Sequence, residues 1–194
     1  MNVLFEKIDF KAVNKDVFLR EKAVMQKSNI EMCKFLSIVG AVFFWLLSVA
    51  SLYFTKGITV PPLVFVVTAS ALTVYAILMF CLKKLRKKPR IALYSLVFCL
   101  SVFISVLTTF YSPNNVSGIY VGVCILFAVI IYDLPWRVCV FTIIINLIFV
   151  VMSFCAKDFN IAILDAINIA ISTLMGHFLF RFSMNTRLNT IIGK

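Results

Sequence analysis

Six long apolar stretches, 35–55, 60–82, 91–111, 116–132, 138–156 and 161–180, alternate along the chain with short polar punctuation. All but the fourth come close to the ~20 apolar residues that a helix needs to cross a bilayer. Small residues recur on one side of several stretches. Ser37, Ala41, Ser48 and Ser51 lie close to one stripe of the first, and Ala69, Thr73 and Ala76 mark the second. Such seams let membrane helices approach one another. In the third stretch Ser101, Ser105 and Thr108 stand at i, i+4 and i+7, with hydroxyls in reach of the carbonyl four residues back. That stripe reads as packing chemistry or, alternatively, as a pore or ligand lining. Pro61, Pro62, Pro113 and Pro135 all fall at span ends. The pattern predicts an all-α integral membrane protein, a bundle of six transmembrane helices, with 116–132 as the shortest span.

Ahead of the first span, residues 1–34 lack Gly and Pro and carry charges of both signs. Phe10, Val13, Val17 and Val24 recur at spacings of three, four and seven, which suits one helix face. This leader is expected to be a cytoplasmic amphipathic helix, lying on the membrane surface or packing on a partner, with input or dimerisation as its possible uses. The chain then divides into the leader 1–34, a membrane domain 35–182 and a cytoplasmic juxtamembrane signalling segment 183–194.

Charge orients the bundle. Lys83-Lys84-Leu85-Arg86-Lys87-Lys88-Pro89-Arg90 sets six cations in eight residues between spans two and three. Short loops rich in Lys and Arg stay on the cytoplasmic side during insertion. Six spans with both termini inside leave only Lys56 and Lys157 outside, of 19 Lys and Arg. Five spans would instead move Arg181, Arg187 and Lys194 outside. The net charge of +11 therefore follows from topology, and no nucleic-acid partner is expected despite the basic run. The leader is too long and too acidic for a secretory n-region, so the first span is expected to act as an uncleaved insertion signal. The expected location is a bacterial inner (plasma) membrane, with the lipid bilayer as first partner.

Composition agrees: 62% of residues are hydrophobic and 14% charged, against about 45–50% and about 25% in soluble domains. Cys33, Cys81, Cys99, Cys124, Cys139 and Cys155 form no CxxC and no Cys/His ligand spacing. Most lie in apolar runs, where a reduced thiol behaves as a small hydrophobe. Neither disulfides, nor a metal, nor a cofactor is expected. The six glycines form no phosphate loop, GxSxG and HExxH are absent, and His177 is the single histidine. No catalytic residue is assigned. Asn115-Val116-Ser117 matches a glycosylation sequon that a bacterial protein would not use.

The polar residues that cost something in hydrocarbon are Asp165, Asn168 and Asn146. Asp165 and Asn168 stand at i, i+3 and share a face of span six, whereas His177 points the other way. Asp165 lies one turn into the span, where it can reach outer water or the Lys157-Asp158 turn. Together with Asn146 of span five, Asp165 and Asn168 could form a small polar pocket in the outer half. Its two readings are ligand or proton sensing and hydrogen bonding between helices. Span six also carries Ala162, Ala166 and Ala170 at intervals of four, then Ser172 and Gly176, a stripe suited to close approach. Beyond it, Arg187, Leu188, Asn189 and Ile191 could continue the helix into the cytoplasm.

The order of parts resembles the membrane region that precedes the catalytic domain in bacterial GGDEF diguanylate cyclases. The resemblance rests on a charged leader (Phe5-Glu6-Lys7-Ile8-Asp9-Phe10-Lys11), Asn29 to Lys34 ahead of span one, and Pro135-Trp136-Arg137 before span five. It continues with Asp165-Ala166-Ile167-Asn168 opening span six and Arg187-Leu188-Asn189 after it. It extends over nearly the whole chain, through diffuse motifs. The active-site motif of two glycines, two acidic residues and Phe is absent from these 194 residues. The resemblance implies a sensor and dimerisation module, working as a homodimer on a cytoplasmic output domain or partner that makes cyclic di-GMP. A small-solute transporter, or its membrane-embedded binding subunit, is the alternative from a different class. It is mildly disfavoured by prolines at span ends, since transporters break helices near the midplane.

Overall fold

A computed structural model of the chain describes residues 22–53, 60–82, 88–131 and 133–192. Most of the leader expected to be an amphipathic helix, residues 54–59 expected as an outer turn, and residues 83–87 of the basic loop lie outside the described residues. Within them every regular element is a helix. The six are α1 (Lys22–Tyr53), α2 (Pro62–Cys81), α3 (Pro89–Phe110), α4 (Gly118–Ile130), α5 (Pro135–Ala156) and α6 (Phe159–Ile192). Five are long and apolar enough to cross a membrane, and α4, with 13 residues, is shorter. The protein is a multi-pass, all-α membrane protein. Proline opens α2, α3 and α5, where its missing N–H costs nothing and its fixed φ suits the first turn. α1 runs without a break through Lys34 and Phe35, so the end of the leader and the first span are one helix.

The chain divides into two compact units, Asn29–Leu96, and Val97–Lys194 grouped with Met1–Ser28. In Asn29–Leu96, the expected small-residue seam of α1 is buried at Ser37, Ala41, Ser48 and Ser51. The Ser37 hydroxyl donates to the Cys33 carbonyl at 2.8 Å, so its polarity is spent inside its own helix. A Cβ at Gly40 would stand 3.0 Å from Leu72 Cδ1 of α2. Trp45 Nε1 donates to Thr73 Oγ1 at 3.4 Å, and Tyr75 donates to the Ala92 carbonyl at 2.7 Å, tying α2 to the first turn of α3.

The other unit is built around α4, α5 and α6, which pack on each other. Tyr120, Cys124, Ile145, Phe149 and Ile169 form its core, with the Tyr120 and Phe149 rings stacked at 3.9 Å. Paired positions fix the directions. Ser117 meets Lys157, Tyr120 meets Phe149 and Cys124 meets Asn146, so α4 and α5 are antiparallel. Ser117 meets Asp165, and Gly176 faces Ala128, so α4 and α6 are parallel. Long apolar side chains such as Leu174, Phe178 and Phe182 of α6 are exposed. On a spanning helix that surface faces lipid rather than water.

The packing face of α6 differs from the expected alanine stripe. Ala162 is buried, Ala166 only half-buried and Ala170 exposed. Steps of four residues advance 400°, so such a stripe drifts about 40° per step around the helix. Mixing steps of three and four keeps the drift small, about 20° per seven residues. The buried row is Ala162, Asp165, Ile169, Ser172, Gly176 and Phe180.

Candidate functional site

Two polar nodes occupy the α4–α5–α6 unit. The first sits where α5 turns into α6. Lys157 closes the C-terminus of α5, its N–H bonding the Ser153 carbonyl. Its ammonium donates to the Asn115 carbonyl at 2.7 Å, Ser117 Oγ at 2.7 Å and Asp165 Oδ2 at 2.9 Å. These use all three N–H groups of an ammonium. Asp165 Oδ1 accepts the Ser117 backbone N–H at 2.8 Å. Its Oδ2 also accepts the hydroxyls of Ser153 at 2.8 Å and Ser117 at 3.3 Å. The side chains of Lys157 and Asp165 are 0% and 1% exposed. A buried charge pair is tolerated only with its remaining donors and acceptors satisfied, and here each group is. The node draws one element from the α3–α4 loop, one from α5 and one from α6.

The second node lies deeper, at Asn146. Its Oδ1 accepts from Tyr120 Oη at 3.3 Å and from Cys124 Sγ at 3.1 Å. Its Nδ2 donates to Thr173 Oγ1 at 2.6 Å, and the Thr173 hydroxyl donates in turn to the Ile169 carbonyl at 2.7 Å. Beside it lies a cavity of about 10 Å³ lined in part by Ser101, Thr142, Cys124 and Asn146. Such a space is about the least that can hold one water molecule.

The three residues singled out from the sequence are thus distributed rather than gathered. Asp165 belongs to the first node and Asn146 to the second. Asn168 is half-buried on the edge of the packed face of α6, where its carbonyl accepts the Ser172 hydroxyl. Asp165 is closed off from water by Lys157, of the two surroundings expected for it. Ser117, Ser153, Tyr120, Cys124, Thr173 and the Asn115 carbonyl complete the nodes and were not singled out by sequence as their members, whereas Lys157 was expected only as part of the turn that Asp165 could reach. Ser117 drew notice only as part of a sequon. The available signal was Lys157 itself, a loop cation eight residues before an acid in the next apolar stretch. At the other end of α5, Asp133 accepts the Leu134 N–H at 2.8 Å and lies 3.6 Å from Arg137.

Among the described residues no group of three or more His, Cys, Asp or Glu side chains is arranged to hold a metal. No family model, curated protein or solved structure matches the chain.

Proposed function

We propose that this protein is a sensory or regulatory module of a bacterial plasma membrane, in which α6 relays a change at the Lys157–Asp165 node to a cytoplasmic output. The observation that carries the reading is the continuity of α6. It runs unbroken from Phe159 to Ile192, 34 residues, or about 51 Å at 1.5 Å per residue. The hydrocarbon core is about 30 Å thick. One rigid element therefore holds Asp165 near one end and projects some 20 Å beyond the membrane at the other. A change in how α4 and α5 grip Asp165 biases the packing of the whole helix.

The topology that suits this reading has six crossings and both termini in the cytoplasm. Short as it is, α4 keeps pace with α5. Its start is held beside Lys157 at the end of α5, and its end joins the start of α5 through residues 131–134. The 22 residues of α5 rise about 33 Å, and the 13 of α4 about 20 Å. A link of four residues can span at most about 13 Å, which is enough for the difference. Ile131 and Leu134 both have extended backbone, as that link requires.

A diguanylate cyclase, paired by homodimerisation of the membrane part, is the output that the order of sequence elements supports. The test joins the α6 end through a helix to a cyclase domain and measures cyclic di-GMP in cells. An output altered by Asp165→Asn supports the relay. Unaltered output, together with Asp165-dependent solute uptake into vesicles, would replace it with the transporter reading.

A further inference from the structure

The three oxygens around Lys157 Nζ, at 2.7, 2.7 and 2.9 Å, form the cradle expected for a primary ammonium group, with one carboxylate for charge and one hydrogen-bond acceptor per N–H. We propose that this cradle is a recognition site for small primary amines in their protonated form, occupied here by the protein's own Lys157. An outer amine competes with that tethered ammonium for Asp165, Ser117 and the Asn115 carbonyl. The inference rests on the relay reading for its consequence, but the site itself stands on geometry alone.

Three observations converge on it. First, the cradle is chemically selective. Short N–H···O bonds reward an ion that carries protons on nitrogen over one of equal charge without them. Second, the occupant is removable without unwinding a helix. Lys157 lies in the two-residue connection between α5 and α6, and Asp158, Phe159 and Asn160 next to it are exposed. Asn115, whose carbonyl forms one wall, is itself exposed, as are Asn114 and Val116. The buried node thus lies directly beneath surface residues. Third, the walls come from separate segments. Asn115 and Ser117 belong to the α3–α4 loop, Asp165 to α6, and Ser153 of α5 bonds the same carboxylate oxygen as Lys157. Whatever fills the cradle holds those segments together, and exchanging a tethered occupant for a free one alters the α5–α6 turn while leaving the carboxylate neutralised.

Lys157→Ala removes the three outer methylenes and the ammonium of the side chain, which propylammonium replaces group for group. The experiment follows amide hydrogen exchange at residues 115–118 in the full chain, reconstituted in lipid nanodiscs, with propylammonium or tetramethylammonium chloride at equal ionic strength. The Ser117 amide donates to Asp165, so its protection reports the cradle. It is expected to exchange at least about tenfold faster in Lys157→Ala, as the loss of a buried ion pair should open the node locally. Propylammonium is expected to restore most of that protection, and tetramethylammonium none. Lys157→Ala combined with Asp165→Asn should show no rescue. Equal effects of the two ions, or no rescue of the single variant, would overturn the proposal. Should Lys157→Ala fail to fold, the same pair of salts is applied to the wild-type chain. Exchange at 115–118 must then respond to propylammonium and not to tetramethylammonium, and equal responses again overturn the site. A spin label at Thr186→Cys separates the two ideas. Amine-selective rescue without movement at 186 keeps the site and removes the relay. Movement at 186 in Asp165→Asn without amine selectivity removes the site and keeps the relay.

Discussion

Lys157 Nζ lies 2.9 Å from Asp165 Oδ2 across the turn between α5 and α6, with both side chains essentially withdrawn from solvent. Removing one partner leaves the other as an uncompensated buried charge, which typically costs about 3–5 kcal/mol. Lys157→Met is therefore expected to destabilise the protein by that order. The double variant Lys157→Met/Asp165→Asn should lie closer to the wild type than the sum of the two single changes. Thermal unfolding of the four proteins in nanodiscs measures the coupling. Additive losses would mean that the pair does not act as a unit.

The Asn146 node makes a similar but smaller claim. Asn146→Ala removes the side-chain acceptor of the Tyr120 hydroxyl and the Cys124 thiol, leaves Tyr120 the Ile145 carbonyl, and deprives Thr173 of its donor, and should cost about 1–3 kcal/mol. Thr173→Val should cost less, because it leaves Asn146 bonded to Tyr120 and Cys124. Denaturant titration of the two variants and their combination tests for the shared bond.

The two helical glycines with near neighbours should respond differently. A Cβ at Gly40 would meet the tip of Leu72 at 3.0 Å, a flexible side-chain end that can turn aside. A Cβ at Gly176 would meet Ala128 Cβ at 3.3 Å and Ile125 Cα at 3.6 Å, atoms fixed to the α4 backbone. Gly40→Ala is expected to be neutral or slightly stabilising, since Ala is favoured over Gly by about 1 kcal/mol in a helix. Gly176→Leu should wedge α4 from α6 and cost about 1–3 kcal/mol. Melting temperatures of both variants decide the contrast.

Much of the fold was legible in the sequence because span length is a local property. Apolar runs gave the helices, and Pro61-Pro62 and Pro135 marked the starts of α2 and α5. The seam of α1 was readable from Ser37, Ala41, Ser48 and Ser51, since small residues must face something other than lipid. The α6 face was read correctly at Ala162, Ser172 and Gly176 and misread at Ala166 and Ala170, because the alanines repeat conspicuously at intervals of four while the buried row mixes steps of three and four. The polar nodes were harder still. Asp165 and Asn146 stood out one by one as costly in hydrocarbon. Their partners Ser117, Ser153 and Tyr120 are ordinary residues whose role depends on the antiparallel register of α4 and α5, which no local pattern encodes. Lys157 was legible as one of two surroundings for Asp165, and its long side chain reaches back to the carboxylate.

Topology is open to a direct check. Lys27 and Thr186 are exposed, and six crossings put them on one side of the membrane. With the exposed Cys81, Cys99 and Cys155 replaced, Lys27→Cys and Thr186→Cys should react with an impermeant thiol reagent from the same face. Asp158→Cys should react from the other. Reaction of the first two from opposite faces would mean that α4 does not cross.

The central claim, that α6 carries a change at Asp165 to its far end, is tested most directly by a distance within one unit. Val140 of α5 and Thr186 of α6 are both exposed. Spin labels at these positions, in the same cysteine-replaced chain in nanodiscs, report the α5–α6 packing by pulsed electron resonance. Asp165→Asn is expected to shift or broaden the distance distribution by about 2 Å or more, the scale of helix displacements in switching proteins. A distribution unchanged from that of the wild type, in a variant that remains folded, would contradict the relay.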